Sequence, residues 1–151
     1  MLKKVTAIAL LILVLPSLIA GCGEGKKIPA LAEISGTVVA DGKPLKMVQV
    51  VFMPEPREGE ILDAPQPSRA VTDEDGKFVL KYGGDPYLFG AAIGPHRITM
   101  DDTLHHESRE NPVDFRFSQR LVGATTTPLR FEVKEGGDNS VTLDITEHMV
   151  N

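Results

Sequence analysis

The sequence predicts an all-β domain, most economically a β-sandwich of about seven short strands. Three observations carry that expectation. β-branched and aromatic residues recur with a two-residue period in runs of strand length. Gly, Asp and Pro punctuate those runs, in dipeptides such as Asp41-Gly42 that favour tight turns. Beyond residue 34, no stretch carries a 3.6-residue apolar stripe of helical length. A sheet that is apolar on one face needs a second sheet to cover it, and the sandwich follows.

Ile34-Ser-Gly-Thr-Val-Val-Ala40 opens the series and runs into the Asp41-Gly42 turn. The next run, Met47 to Met53, sets Val48, Val50 and Phe52 on one face. Arg69-Ala-Val-Thr72 leads into Asp73-Glu-Asp-Gly76, where an Asp bonding nearby backbone and a Gly at positive φ would turn the chain. Phe78 and Leu80 then alternate with Lys77, Val79 and Lys81. His96, Ile98 and Met100 share a face in the following run, so His96 reads as a packed core residue bonding a carbonyl. Leu129, Phe131 and Val133 alternate next, Glu135-Gly-Gly-Asp-Asn139 turns the chain, and Val141, Leu143 and Ile145 close the series. Two connections break this rhythm. Pro54 to Pro67 holds prolines at 54, 56, 65 and 67, which removes ladder donors and marks an exposed link. Asp101 to Thr127 is longer and mixes charge, histidine and scattered apolar residues, the kind of insertion that is either functional or mobile.

Ahead of the strands lies a three-part leader. Lys3 and Lys4 give a positive start, Val5 to Ile19 an apolar stretch, and Ala20-Gly21 small residues before Cys22. The apolar stretch of about 15 residues is short of the roughly 20 that a spanning helix needs, and Pro16 interrupts it. Ile19-Ala20-Gly21-Cys22 looks like a bacterial lipobox, with residues 1–21 as a lipoprotein signal peptide. Cys22 is the chain's single cysteine, so no intramolecular disulfide competes for it, and a thioether to diacylglycerol is its expected fate. One acyl chain holds a protein marginally; diacylglycerol plus an N-acyl chain such as palmitate makes a durable anchor. Residues 22–32 then read as a lipidated tether, and 33–148 as the domain. Gly23, in place of the Asp that commonly marks inner-membrane retention in bacterial lipoproteins, implies the outer membrane, facing the periplasm or the exterior.

Charge narrows the partners. Two of the 16 basic residues and none of the 21 acidic ones precede Cys22, so the chain from Cys22 onward carries 14 basic against 21 acidic side chains, a formal −7. That balance argues against nucleic acid and against adhesion to anionic lipid by charge. The expected partners are the membrane, through the anchor, and an envelope protein.

Ser35-Gly-Thr-Val, Asp41-Gly-Lys-Pro-Leu, Val48-Gln-Val-Val-Phe52 and Thr72-Asp-Glu-Asp-Gly-Lys-Phe78, in that order, resemble the carboxypeptidase regulatory-like (transthyretin-like, or prealbumin-like) domain family. Gly94-Pro-His-Arg-Ile-Thr-Met100 is similar to a later strand of that family, with His96 where an aromatic usually stands. Thr126 to Val133 followed by Glu135 to Asn139 looks like the closing hairpin of small lipoproteins built on the same domain. The resemblance spans roughly residues 33 to 146 and implies a seven-stranded, Ig-like β-sandwich. It implies little about function, since a fold does not name a chemistry.

The candidate sites are few. Asp73-Glu74-Asp75-Gly76 resembles the start of an EF-hand loop, but Gly84 stands where the bidentate glutamate belongs, so a hairpin turn is expected. Asp101, Asp102, His105, His106 and Glu107 form the densest cluster of metal-competent groups. If that segment is extended, His105 and His106 point opposite ways and do not share an ion; a solvated loop is the plain reading. Tyr82, Tyr87 and Phe89 form an aromatic loop that could stack on sugar or simply close an open end of the sandwich. Intradiol dioxygenases share the sandwich and bind iron through two tyrosines and two histidines, yet Tyr82 and Tyr87 sit in one Gly-rich loop without the family's spacing to His96 or His105. The C-terminal Glu147-His-Met-Val-Asn151 lacks the Tyr-Arg-Gly-Ser tail of transthyretin-related hydrolases. No G-x-S-x-G elbow or phosphate-cradling loop is present either. The expectation is therefore a lipid-anchored envelope module with a structural or protein-interaction role and no catalysis. The alternative is a module binding a small ligand or divalent cation through the Asp101–Glu107 loop.

Overall fold

The computed structural model describes residues 28–56, 64–107 and 114–150. The leader, Cys22 and the start of the tether lie outside the described residues. In chain order the strands are β1 (Leu31–Ala32), β2 (Ser35–Ala40), β3 (Lys43–Pro44), β4 (Val48–Pro54), β5 (Ser68–Val71), β6 (Lys77–Val79), β7 (Lys81–Tyr82), β8 (Ala91–Ala92), β9 (Gly94–Asp102), β10 (Arg130–Val133) and β11 (Ser140–Asp144). One short helix, α1 (Thr103–Glu107), and 3-10 turns at Gln119–Leu121 and Thr146–His148 complete them. The chain is all-β in character. Each run that alternates in the sequence forms strand, the 77–81 run dividing between β6 and β7, and the two-residue segments β1, β3 and β8 are additions that the pattern was too short to reveal.

Five strands pair in the order β10-β9-β4-β5-β7, all antiparallel. A second sheet runs β11-β2-β3, with β6 also on β2, and a third pairs β1 with β8. The two-residue period decides which face is buried. In β4, Val48, Val50 and Phe52 are fully buried whereas Gln49, Val51 and Met53 are half-exposed. In β9, His96, Ile98, Met100 and Asp102 face inward. Residues of both larger sheets share one hydrophobic cluster: Phe52 and Ile98 from the five-stranded sheet meet Val38, Phe78 and Leu143 from the other. Burying an aromatic of this size stabilises by roughly 1.5–3 kcal/mol, and Phe52 makes ring contacts with both Phe78 and Phe131, at 6.5 and 5.7 Å.

The Asp41-Gly42 turn behaves as its chemistry demands. Val39 pairs with Pro44 and Ala40 with Lys43, leaving a two-residue loop with φ of 51° at Asp41 and 71° at Gly42. Positive φ at both positions is the hairpin geometry that matches strand twist.

Three local expectations change. The chain from Thr126 to Asn139 does not open a closing hairpin: β10 pairs antiparallel with β9, while β11 crosses to the other sheet and runs parallel to β2. Asn139 steers that crossing, with its side chain accepting from the Lys134 N–H and donating to the Lys134 carbonyl. Alternation reports a strand's faces but not its neighbour, so the pattern could not separate the two topologies. The Asp73–Gly76 turn likewise links the sheets, because β6 pairs with β2 and not with β5. Finally, Thr103 to Glu107 is one helical turn, too short for periodicity to register, where an extended segment was the premise. Both the N–H and the hydroxyl of Thr103 bond the Met47 carbonyl, at 3.1 and 2.6 Å, and this fixes where the chain turns out of β9.

Candidate functional site

The carboxylate–histidine cluster is split by the parity of β9. Asp101 faces outward and Asp102 inward, fully buried. Arg116 meets Asp102 with a fork: its Nη2 donates to Oδ1 at 2.7 Å and its Nε to Oδ2 at 3.0 Å. The Arg116 backbone N–H adds a third bond to Oδ2 at 3.0 Å. Burial alone would raise the Asp102 pKa, but the hydrogen bonds and charge of Arg116, helped by the Leu104 backbone, hold it below the usual carboxylate range. Arg116 also donates to the carbonyls of Lys46 and Met47, at 3.0 and 3.3 Å. Asp102 is thus a staple that fastens the chain around residue 116 to the start of β4.

On α1, His105 stacks on Phe115 with centroids 3.6 Å apart, and His106 lies edge-on to His105 at 5.2 Å. His106 Nε2 sits 3.1 Å from Asp101 Oδ1. Adjacent residues on a helical turn differ by about 100° in direction and not by the 180° of a strand, and both rings lie against Phe115, His105 stacked and His106 edge-on. Among the described residues no group of three or more His, Cys, Asp or Glu side chains converges on a metal position. The Glu107 side chain, like Cys22, lies outside what is described.

His96 is buried against Phe52, 6.0 Å between ring centroids, and stands opposite Phe131 across the ladder. Its Nδ1 donates to the Gly94 carbonyl at 2.9 Å, which matches the expected core role. Nε2 is left buried without a partner. Burial lowers the His96 pKa, more than the Gly94 bond and the nearby Glu132 and Glu55 raise it. The Asp73 turn is equally local: Oδ1 accepts from the N–H groups of Asp75 and Lys77, and Gly76 takes φ 69°.

The aromatic loop divides. Tyr82 is buried, and its hydroxyl accepts from the Gln66 N–H at 3.0 Å. Tyr87 is 87% exposed and Phe89 50% exposed, so these two do not close over the core. Tyr82 on β7 and His96 on β9 are separated by β5 and β4 in the sheet, which does not gather a two-tyrosine, two-histidine ligand set.

One feature went unread in the sequence. On the outer face of the five-stranded sheet, register aligns Arg130, Arg97 and Met53 in one row and Thr99, Val51, Arg69 and Lys81 in the next. Arg97 and Arg130 share Glu55, at 3.0 and 3.3 Å from the same oxygen. The signal was available: these cations occupy strand positions out of phase with the core residues. Pairing information was needed to bring them side by side.

Comparison with family models, with curated proteins and with solved structures gives no match for this chain.

Proposed function

We propose that this chain is a lipid-anchored module of the bacterial cell envelope, a transthyretin-like β-sandwich that serves a structural or protein-interaction role without catalysis. One observation carries the reading: the apolar stretch behind Lys3 and Lys4 ends in Ile19-Ala20-Gly21-Cys22, and Cys22 is the chain's single cysteine. The sandwich is supported by two sheets that contribute to one apolar cluster. Its likeness to the carboxypeptidase regulatory-like family rests on the Asp41-Gly42 and Asp73–Gly76 turns and the strands they join. Acyl chains on Cys22 hold the protein at the membrane, the tether gives reach, and exposed loops meet a partner. The cation-binding alternative retains Asp101 and His106 as its described pair, since Asp102 is engaged by Arg116; no observation favours it.

The test is Cys22→Ser. The native protein is expected in the membrane fraction, with an N-terminal peptide whose mass includes diacylglycerol and an acyl group. The variant is expected in the soluble fraction. Retention of Cys22→Ser at the membrane, or an unmodified Cys22 in the native protein, would overturn the anchor. Crosslinking in intact cells then tests the interaction role: one recurring partner supports it, and random neighbours alone count against it.

A further inference from the structure

The outer face of the five-stranded sheet ends in a corner where cations and exposed aromatics meet. Arg69 and Lys81 are register partners on β5 and β7, and both point away from the buried Ser68 and Tyr82 beside them. Among the described residues neither takes part in an ion pair. Lys81 instead lies over the Phe89 ring, with Nζ 5.7 Å from its centroid. Tyr87 and Phe89, 87 and 50% exposed, stand out from this loop, with Phe89 bridged to Lys81, and Val71, 46% exposed, lies two residues from Arg69 on β5. The carboxylate within this loop, Asp85, accepts the Tyr87 N–H and thereby shapes the turn that presents the ring.

This corner is fastened to the end of the domain that the tether reaches first. β8 starts two residues after Phe89 and pairs with β1, Ala91 opposite Ala32 and Ala92 opposite Leu31. Gly90, at φ 100°, packs so closely on Ala32 that a Cβ there would collide with the Ala32 carbonyl. From Cys22 to Leu31 is nine residues, at most about 30 Å when fully extended. A bilayer that holds acyl chains at Cys22 therefore lies within that distance of β1.

We propose that the corner formed by Tyr87, Phe89, Val71, Arg69 and Lys81 docks on the anionic lipid surface that holds the anchor. It rests on the lipid-anchored reading above. Tyr87 and Phe89 settle at the boundary between headgroups and acyl chains, where amphipathic aromatic rings are favoured. Arg69 and Lys81 extend their apolar stems along that boundary and carry their charges to lipid phosphates. The formal −7 of the chain opposes adhesion by net charge, and the docking rests instead on the local cations of this corner. Charges separated by more than about 8–10 Å are largely screened at cellular ionic strength, so the local sign governs contact. Docking turns a flexible tether into a fixed orientation and leaves the other sheet facing the envelope space.

The chain has no tryptophan, so Tyr87→Trp introduces a unique reporter. The lipidated, full-length variant is reconstituted on vesicles containing phosphatidylglycerol, and on pure phosphatidylcholine vesicles. Co-flotation reports the anchor, while Trp emission and quenching by brominated lipid report the corner. The expected result is a blue shift and strong quenching on phosphatidylglycerol, both reduced by Arg69→Glu with Lys81→Glu and by high salt. Val122→Trp is the control, exposed just after the Gln119–Leu121 turn that packs on β9, and β9 lies three strand spacings, about 14 Å, from β7; its emission is expected to stay that of a solvated ring. Co-flotation of the Tyr87→Trp protein with unshifted emission would overturn the docking and leave the anchor intact. Equal quenching of the reporters at positions 87 and 122 would also overturn it. Failure to co-float would overturn the anchor reading itself.

Discussion

Two buried titratable groups show how neighbours decide what burial costs. Asp102 is fully buried yet satisfied, because Arg116 meets both carboxylate oxygens and then directs its remaining donors to backbone carbonyls. A buried pair of this kind tolerates loss of neither partner, since the survivor would be an uncompensated charge. His96 is buried with one nitrogen bonded and the other orphaned, so it packs well only while neutral. The sign of its pH effect follows. Its folded pKa lies below the unfolded 6.5, so the unfolded chain binds a proton first as pH falls. Stability from this group is fully present above about pH 6.5 and is lost below it, by at most about 1.4 kcal/mol per pH unit, until the folded pKa is passed. Asp102, also depressed, adds a second loss starting near its unfolded 3.8. His96→Phe, an aromatic of similar size with no proton to gain, is expected to remove the first loss and keep the second. Urea midpoints measured from pH 7 down to about pH 2 check both parts of this. A variant whose midpoint falls in parallel with the native protein's would assign the acid sensitivity elsewhere.

Among the elements, β2 packs closely on both its neighbours through a residue with no side chain. Gly36 pairs with Val141 of the parallel neighbour β11 and with Phe78 of β6 on its other side. A Cβ there would overlap the Val141 carbonyl oxygen and come within 2.6 Å of the Phe78 ring. Glycine inside a strand often marks such an approach of backbone or ring. Gly36→Ala is expected to destabilise by about 1–3 kcal/mol, the usual cost of overpacking. Filling Gly42, whose added Cβ would meet open space, should cost less and only through its positive φ. Paired urea titrations of the two variants test the order, and an equal loss would locate the strain in the turn and not in the sheet. The same strand shows where reading from sequence stops. Its existence and the turn after it were legible from β-branched residues and Asp-Gly chemistry. Its partners were not, because a period of two is identical for a hairpin and for a strand that crosses between sheets. The expected closing hairpin at Glu135–Asn139 failed for that reason. The five-residue α1 escaped because one helical turn leaves no periodic trace. The Arg116–Asp102 staple had no sequence signal, since neither residue falls in a motif and 14 positions separate them.

At the scale of the whole molecule, connectivity binds the two larger sheets into one unit. The chain passes between them after Pro44, after Val71, after Val79 and after Val133, so neither sheet is a continuous piece of sequence. Their buried side chains form a single cluster, and Phe52 stands at the join, touching Phe131 and His96 of its own sheet and Phe78 of the other. This arrangement predicts one cooperative transition, as small single domains usually show. Phe52→Ala is expected to cost about 3–5 kcal/mol, from lost burial and the cavity left behind. More tellingly, it should lower protection in both sheets equally. Amide exchange at Val38 in β2 and at Ile98 in β9 reads the two sheets separately under conditions where exchange requires global opening. If the alanine variant fails to fold, Phe52→Leu makes the same comparison at smaller cost. Equal losses at the two positions would establish that the core is shared energetically as well as geometrically. A loss confined to Ile98 would mean that the β2 sheet keeps an independent core, and that the contact with Phe78 contributes little to holding the sheets together.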